Sequence, residues 1–363
     1  MTLQKTIFKE LIKNFILLFL VTTFVIYTIY IFQTFRALHG FGLDFVMEIT
    51  PSTLITVMMH TTIISMVVSA TMVYGRMSSD NEIDAIKTSG IHIKKLLYPA
   101  FIFGIILSTS YFILVGYYLP EAASSRKDIL KKALRYILKS PPPFKDTHEI
   151  GPYLISYASA NNGRLKMFHL KVRDPNSKEI QEYAAREAYV DITPQGDAKV
   201  VMLDYNMSRI NERKGDKTDV NGPMYSYVLD LSSLAYDVSR PRFLKMPMLL
   251  NALKIPDKNI SFSALTEIHQ RISMSLYPFL LTFIASLVGI LVRKSSRLAG
   301  LGASFPILII YFISSILSQS LSENAISKNL TSDLSMNILM ASYLPVLVFI
   351  CLGIFLYKFI VRT

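Results

Sequence analysis

Residues 14–35 read Asn14-Phe-Ile-Leu-Leu-Phe-Leu-Val-Thr-Thr-Phe-Val-Ile-Tyr-Thr-Ile-Tyr-Ile-Phe-Gln-Thr-Phe35, 22 positions without one Asp, Glu, Lys or Arg. A helix of that length rises about 33 Å, enough to cross the roughly 30 Å hydrocarbon layer of a bilayer. Five more uncharged runs follow, at 49–75 (27 residues), 96–120 (25), 272–292 (21), 298–322 (25) and 334–357 (24). Six membrane-crossing helices are therefore expected, in two groups of three on either side of a charged segment from Glu121 to Arg271. The first run exceeds the apolar stretch of a cleavable leader and no Ala-x-Ala site follows it, so it is read as a retained helix.

Composition agrees. Of 363 residues 51% are hydrophobic and 18% charged, with a mean hydropathy of +0.38, which excludes a disordered chain. Cys351 is the single cysteine, so an intrachain disulfide is excluded and thiol redox chemistry is not expected. The net charge of +12 would suit nucleic acid if it formed one patch, but its placement follows a membrane rule instead. With the N-terminus in the cytoplasm, the inner loops and ends hold twelve basic residues: Lys5, Lys9, Lys13, Arg76, Lys87, Lys94, Lys95, Arg293, Lys294, Arg297, Lys358 and Arg362. The short outer loops hold Arg36 and Lys328. Both termini are thus expected inside, with the 121–271 segment outside and no nucleic-acid partner.

The external segment has its own pattern. From Glu121 to Ser140, basic residues from Arg126 to Lys139 alternate at helical spacing with Ile129, Leu130, Ala133, Leu134 and Ile137, which predicts an extension of the third helix stopped at Pro141-Pro-Pro143. Strand signals follow at 153–157, 165–172, 183–192, 199–210 and 224–231, separated by turn residues such as Asn161-Asn-Gly163 and Asp174-Pro-Asn176. Strands without intervening helices predict an antiparallel sandwich, jellyroll or open curved sheet over about 150–245. A short apolar helix after Pro247 and a linker through Pro256 lead back to the membrane. The domain reading is 1–120, three helices with a cytoplasmic helix at 79–90; 121–262, the external domain; and 263–363, three helices.

Sites of chemistry are scarce. The chain lacks a Gly-x-x-x-x-Gly-Lys-Ser/Thr loop, His-Glu-x-x-His and Gly-x-Ser-x-Gly, so no ATP hydrolysis, metal or cofactor is expected of it. His60 is the one histidine at membrane depth and is expected to face the bundle and hydrogen-bond a neighbour. Asp and Glu are absent from all six runs, which weakens a proton- or sodium-driven carrier. Energy is expected from another protein.

The first cytoplasmic loop, Tyr74-Gly-Arg-Met-Ser-Ser-Asp-Asn-Glu-Ile-Asp-Ala-Ile-Lys-Thr-Ser-Gly-Ile91, reads as a short capped helix. Ser79-x-x-Glu82 has capping-box spacing, Asp80, Glu82 and Asp84 suit the positive end of the helix dipole, and Gly90 supplies a stop. With Ile83 and Ile86 on one face, such a helix between two membrane helices has the form of a coupling helix that inserts into a groove on an ATPase.

This loop, Glu267-Ile-His-Gln-Arg271 ahead of the fourth membrane helix, and Arg293-Lys-Ser-Ser-Arg297 followed by Gly300 make the chain resemble the lipopolysaccharide-export permeases of the LptF/LptG type over essentially its full length. The resemblance implies an inner-membrane permease that pairs with a second related permease and a cytoplasmic ATPase dimer. It implies extraction of lipopolysaccharide and transfer from a β-jellyroll domain to a periplasmic lipid-bridge protein. It also implies that the ATPase-contacting position of the family falls on Glu82, and that the first and fifth membrane helices form the gate. A phosphorylated, multi-chain lipid calls for cations at the outer rim of an apolar cavity, and Gln33 and Arg36 at the outer end of the first helix are the candidates. The competing readings are a non-transporting sensor or scaffold, which the lack of a signalling domain disfavours, and a four-helix exporter of the macrolide or lipoprotein type, which the count of six disfavours.

Overall fold

The computed structural model describes residues 2–37, 43–139, 144–150, 153–161, 163–173, 179–192, 198–211, 217–229, 241–255, 258–292, 299–327 and 334–362. The expected stop at Pro141–Pro143, residues 230–231 at the end of the last expected strand, and the 293–297 motif lie outside the described residues. The uncharged runs fall mainly on α1 (Thr2–Ala37), α2 (Leu43–Ser79), α4 (Ile93–Ile113), α7 (Lys258–Leu291), α8 (Ala299–Ser327) and α9 (Leu334–Arg362), with the short α3 (Glu82–Thr88) after α2. Among the described residues, six helices are long and apolar enough to cross a membrane. A π-helical turn, Leu114–Tyr118, joins α4 without a break to the basic α5 (Leu119–Lys139). The short helix expected after Pro247 is α6 (Met246–Ala252), which starts one residue before that proline.

The chain divides into two compact units. The first comprises residues 1–28, 54–121 and 239–363. Its core gathers Ile63, Met66, Val73 and Tyr74 of α2, Leu96 and Phe103 of α4, Tyr277, Leu281 and Leu287 of α7, and Phe349 of α9. Three glycines let backbones meet where α2, α7 and α8 cross. A Cβ on Gly289 would lie 2.9 Å from Tyr74 Cβ, one on Gly300 2.8 Å from the Thr71 carbonyl oxygen, and one on Gly75 3.3 Å from Gly300 Cα. Small residues at crossings are how membrane helices gain close packing, since lipid supplies no hydrophobic drive between them. Ser78 Oγ donates to the Ile290 carbonyl at 2.9 Å and Tyr74 OH to the Leu96 carbonyl at 2.9 Å, so the C-terminal end of α2 is fixed to α7 and α4.

The second unit comprises residues 29–53 and 122–238. Its sheet contains β1 (Phe144–Ile150), β2 (Tyr153–Asn161), β3 (Arg164–Arg173), β4 (Glu179–Ile192), β5 (Ala198–Asn211) and β6 (Lys217–Leu229), all antiparallel and paired in chain order. The sequence signals covered β2 to β6; β1, with the polar sequence Phe-Lys-Asp-Thr-His-Glu-Ile, carries no apolar alternation and is a strand because β2 pairs with it. One row of residues is skipped across all six strands, Lys145, Ala158, Met167, Arg186, Asp204 and Pro223, and between β2 and β3 the adjacent Tyr157 and Phe168 are skipped as well. Met167 and Asp204 in that row have φ of 51° and 50°, a left-handed conformation rare for residues with a Cβ. At this crease the in-out alternation inverts. Leu165 and Phe168, three apart, are both buried, as are Ala185 and Ala188, and all four join one core with Tyr153, Tyr157, Tyr183 and Met202. Of the strand aromatics, Tyr153, Tyr157, Phe168 and Tyr183 are therefore core, while Tyr189 is exposed and Tyr205 packs against the core.

Candidate functional sites

The loop after α2 differs from its expected form in three ways. The helix is seven residues, Glu82–Thr88, shorter than the expected 79–90. The capping box is not made: Ser79 is still the last residue of α2, its hydroxyl donates to the Arg76 carbonyl at 3.0 Å, and Asn81 opens α3 in a left-handed conformation without a side-chain cap. Glu82 turns instead to Arg76, whose Nη1 lies 2.8 Å from Glu82 Oε1; a charge-assisted bond outcompetes a neutral backbone donor. At the other end the stop is as expected. Gly90, at φ 77°, donates to the Lys87 carbonyl at 3.0 Å and Ile91 N–H to the Ile86 carbonyl at 3.3 Å, the paired bonds of a Schellman motif.

The third difference concerns Ile83. It is 3% exposed and belongs to this chain's own core, so it is not available to a partner's groove. Ile86 packs partly against the same core, and Asp84 is half-buried. Asn81, Ala85, Thr88 and Ser89 form the exposed side of the loop helix. Asp80 and Glu82 are brought together by Arg76, whose Nη1 also reaches Asp80 Oδ2 at 3.4 Å, while its Nη2 reaches Glu10 Oε2 of α1 at 2.8 Å. The i,i+4 spacing of Arg76 and Asp80 was a legible signal of this cluster; Glu10, 66 positions away, left none.

At the other ends of the membrane helices, Gln33 is exposed on α1 and Arg36 lies in its last turn, its side chain outside the described ones. On α5, Arg126 is half-buried and its Nη2 donates to the Ser52 carbonyl at 3.3 Å, while Lys132 Nζ pairs with Glu48 Oε1 at 2.6 Å. The basic ridge is thus partly engaged with α2. His60 is half-buried on α2 and, among the described residues, has no side-chain hydrogen bond, unlike the one expected.

Arg271, the last residue of the Glu267-Ile-His-Gln-Arg271 motif, is a second cation with several partners. It is 2% exposed on α7, with Nε 2.9 Å from Glu267 Oε1, Nη1 2.7 Å from the Leu244 carbonyl and 3.4 Å from that of Gly116 in the π turn, and Nη2 3.1 Å from that of Arg242. A planar fork with five donors can satisfy such a divergent set. It fastens the π turn and residues 242–244 to α7. Among the described residues no three His, Cys, Asp or Glu side chains gather to hold a metal.

Compared with family models, residues 5–358 match that of the lipopolysaccharide export system permease LptF/LptG. The chain belongs to that family. It is a multi-pass inner-membrane permease of the lipopolysaccharide export system, not an enzyme, and its six membrane-length helices with an antiparallel β domain between the third and fourth are the architecture of this permease. No individual curated protein matches the chain.

Proposed function

We propose that this permease is the membrane half of an ABC exporter, working with a second related permease and a cytoplasmic ATPase dimer. ATP hydrolysed by that dimer drives extraction of lipopolysaccharide from the inner membrane. The β domain, of the jellyroll type in this reading, passes the lipid to a periplasmic bridge protein. Both termini are cytoplasmic; residues 1–120 and 263–363 carry the two groups of three helices, and 121–262 lie outside.

The observation that carries the reading is α3, a helix with acidic residues in its first turn, set between two membrane helices. Asp80, Glu82 and Asp84 offer the ATPase a negative end, with Glu82 as the main contact and Ile86 supporting the helix from behind. Ile83 is kept as an internal anchor of that contact, not as a surface for the partner. Gating by the first and fifth membrane helices is supported by their exposed apolar residues, Leu17, Leu20 and Phe24 on α1 and Phe305, Ile309 and Ile316 on α8. Gln33 and Arg36 contact the anionic head of the lipid at the outer rim, and Arg126 is a further candidate there.

The test is purification of the complex from membranes, with identification of bound lipid and measurement of ATP hydrolysis. Wild type is expected to retain both ATPase and lipopolysaccharide. At a desolvated contact, loss of the Glu82 carboxylate costs about 2 to 5 kcal/mol, so Glu82→Ala is expected to lose the ATPase and Glu82→Gln to hold it weakly. Wild-type capture by Glu82→Ala overturns the α3 contact, and a complex without lipopolysaccharide overturns the substrate.

A further inference from the structure

The helix α1 is rooted at its inner end. Ile7 and Leu11 are buried, and beyond Leu11 no described side chain of α1 is buried. Ser69 Oγ donates to the Leu11 carbonyl at 3.0 Å; farther along, α1 meets α2 through the hydroxyl pairs Thr22–Ser65 at 2.9 Å and Thr23–Thr61 at 3.0 Å. Few buried contacts along a helix mean a low cost of moving it, so what happens at the root governs how the helix sits.

Arg76 is at that root. Its two terminal nitrogens point to different elements, Nη2 to Glu10 on α1 and Nη1 to Glu82 on α3, both at 2.8 Å. One guanidinium serves three carboxylates, Asp80 being the third at 3.4 Å. The side chains of Arg76, Glu10 and Glu82 are 35%, 36% and 41% exposed, so each pair is weak and its partners are readily exchanged.

We propose that Arg76 is a positioning residue that passes engagement of α3 to the root of α1. The proposal rests on the reading of α3 as the ATPase-contacting helix. A cation of the partner docking on Glu82 satisfies that carboxylate and repels the guanidinium at once. Arg76 then commits to Glu10, and α1 is held firmly to the end of α2. When the partner cation withdraws, Arg76 is again divided between Glu82 and Glu10, and α1 is free to shift. A lysine could not do this, because a single ammonium lacks two separated donor edges.

The test uses the full complex of both permeases and ATPase in lipid vesicles, with ATP hydrolysis and lipopolysaccharide release measured separately. Glu10→Gln is expected to leave assembly and ATP turnover within about twofold of wild type, as suits the loss of an exposed pair. Lipid released per ATP is expected to fall at least about fivefold, the low end of a coupling effect. Glu10→Arg, which repels Arg76, is expected to uncouple likewise, and so is Arg76→Lys, which keeps the charge and loses the second donor edge. A structural role for Glu10 would instead lower assembly and both activities together. Equal release per ATP in wild type and Glu10→Gln overturns the proposal and leaves the α3 contact, judged at Glu82→Ala, untouched.

Discussion

Arg271 and Arg76 are both arginines at the ends of membrane helices, and burial separates their roles. Arg271 is enclosed and points its donors at three backbone carbonyls and Glu267, so it is a fastening. Removing its fork leaves buried acceptors unmatched, at about 1 to 3 kcal/mol. Arg271→Lys keeps the charge and loses the geometry; it is expected to lower the thermal stability of the detergent-solubilised protein by that order, read by size-exclusion chromatography after heating. Wild-type stability in Arg271→Lys would mean that an ammonium, or water, supplies the same carbonyls. Arg76 is a third exposed and shared among acids. Its removal should be felt in coupling more than in stability.

Among the elements, the crossing of α2, α7 and α8 is the one that side-chain volume controls most sharply. A methyl group on Gly289 would sit 2.9 Å from Tyr74 Cβ and 3.1 Å from Gly75 N, so the helices must separate to admit it. Gly289→Ala is expected to destabilise the bundle by about 1 to 3 kcal/mol, the usual range for overpacking. Gly302→Ala, on α8 where an added Cβ meets nothing within 4 Å, is the matched control and should be neutral or slightly stabilising. Equal melting temperatures for the two variants would contradict the close crossing. The consequence reaches α3, because the same crossing fixes the end of α2 from which the loop helix departs.

For the whole molecule the testable quantity is topology. In a Cys351→Ser background, a cysteine at Lys166, exposed on β3, should be labelled by an impermeant thiol reagent from outside only, and one at Thr88, exposed at the end of α3, from the cytoplasmic side only. The basis is the count of twelve basic residues against two in the short loops. Labelling of the Lys166 position from the cytoplasm would invert the orientation and remove α3 from the compartment that holds ATP.

Six membrane helices, a β domain after the third and a short helix in the loop after the second are legible from the sequence, because each depends on local signals: uncharged length, turn chemistry, and acids followed by a Gly stop. Glu82 could be singled out by its position in a motif. Its partner could not, since Arg76 takes the nearest carboxylates in space and Glu10 is separated from it in the chain by the lengths of α1 and α2. For the same reason Ser79 and Glu82 read as a capping box but do not form one. In the β domain, alternation located five strands, yet spacings such as Leu165-x-x-Phe168 and Met202-x-x-Tyr205 break the period of two; only pairing across the sheet aligns those breaks into one crease that turns both halves toward a common core. Patterns within a segment are set by the segment, whereas which face is buried, which charge is shared and which backbones touch are decided by neighbours distant in sequence.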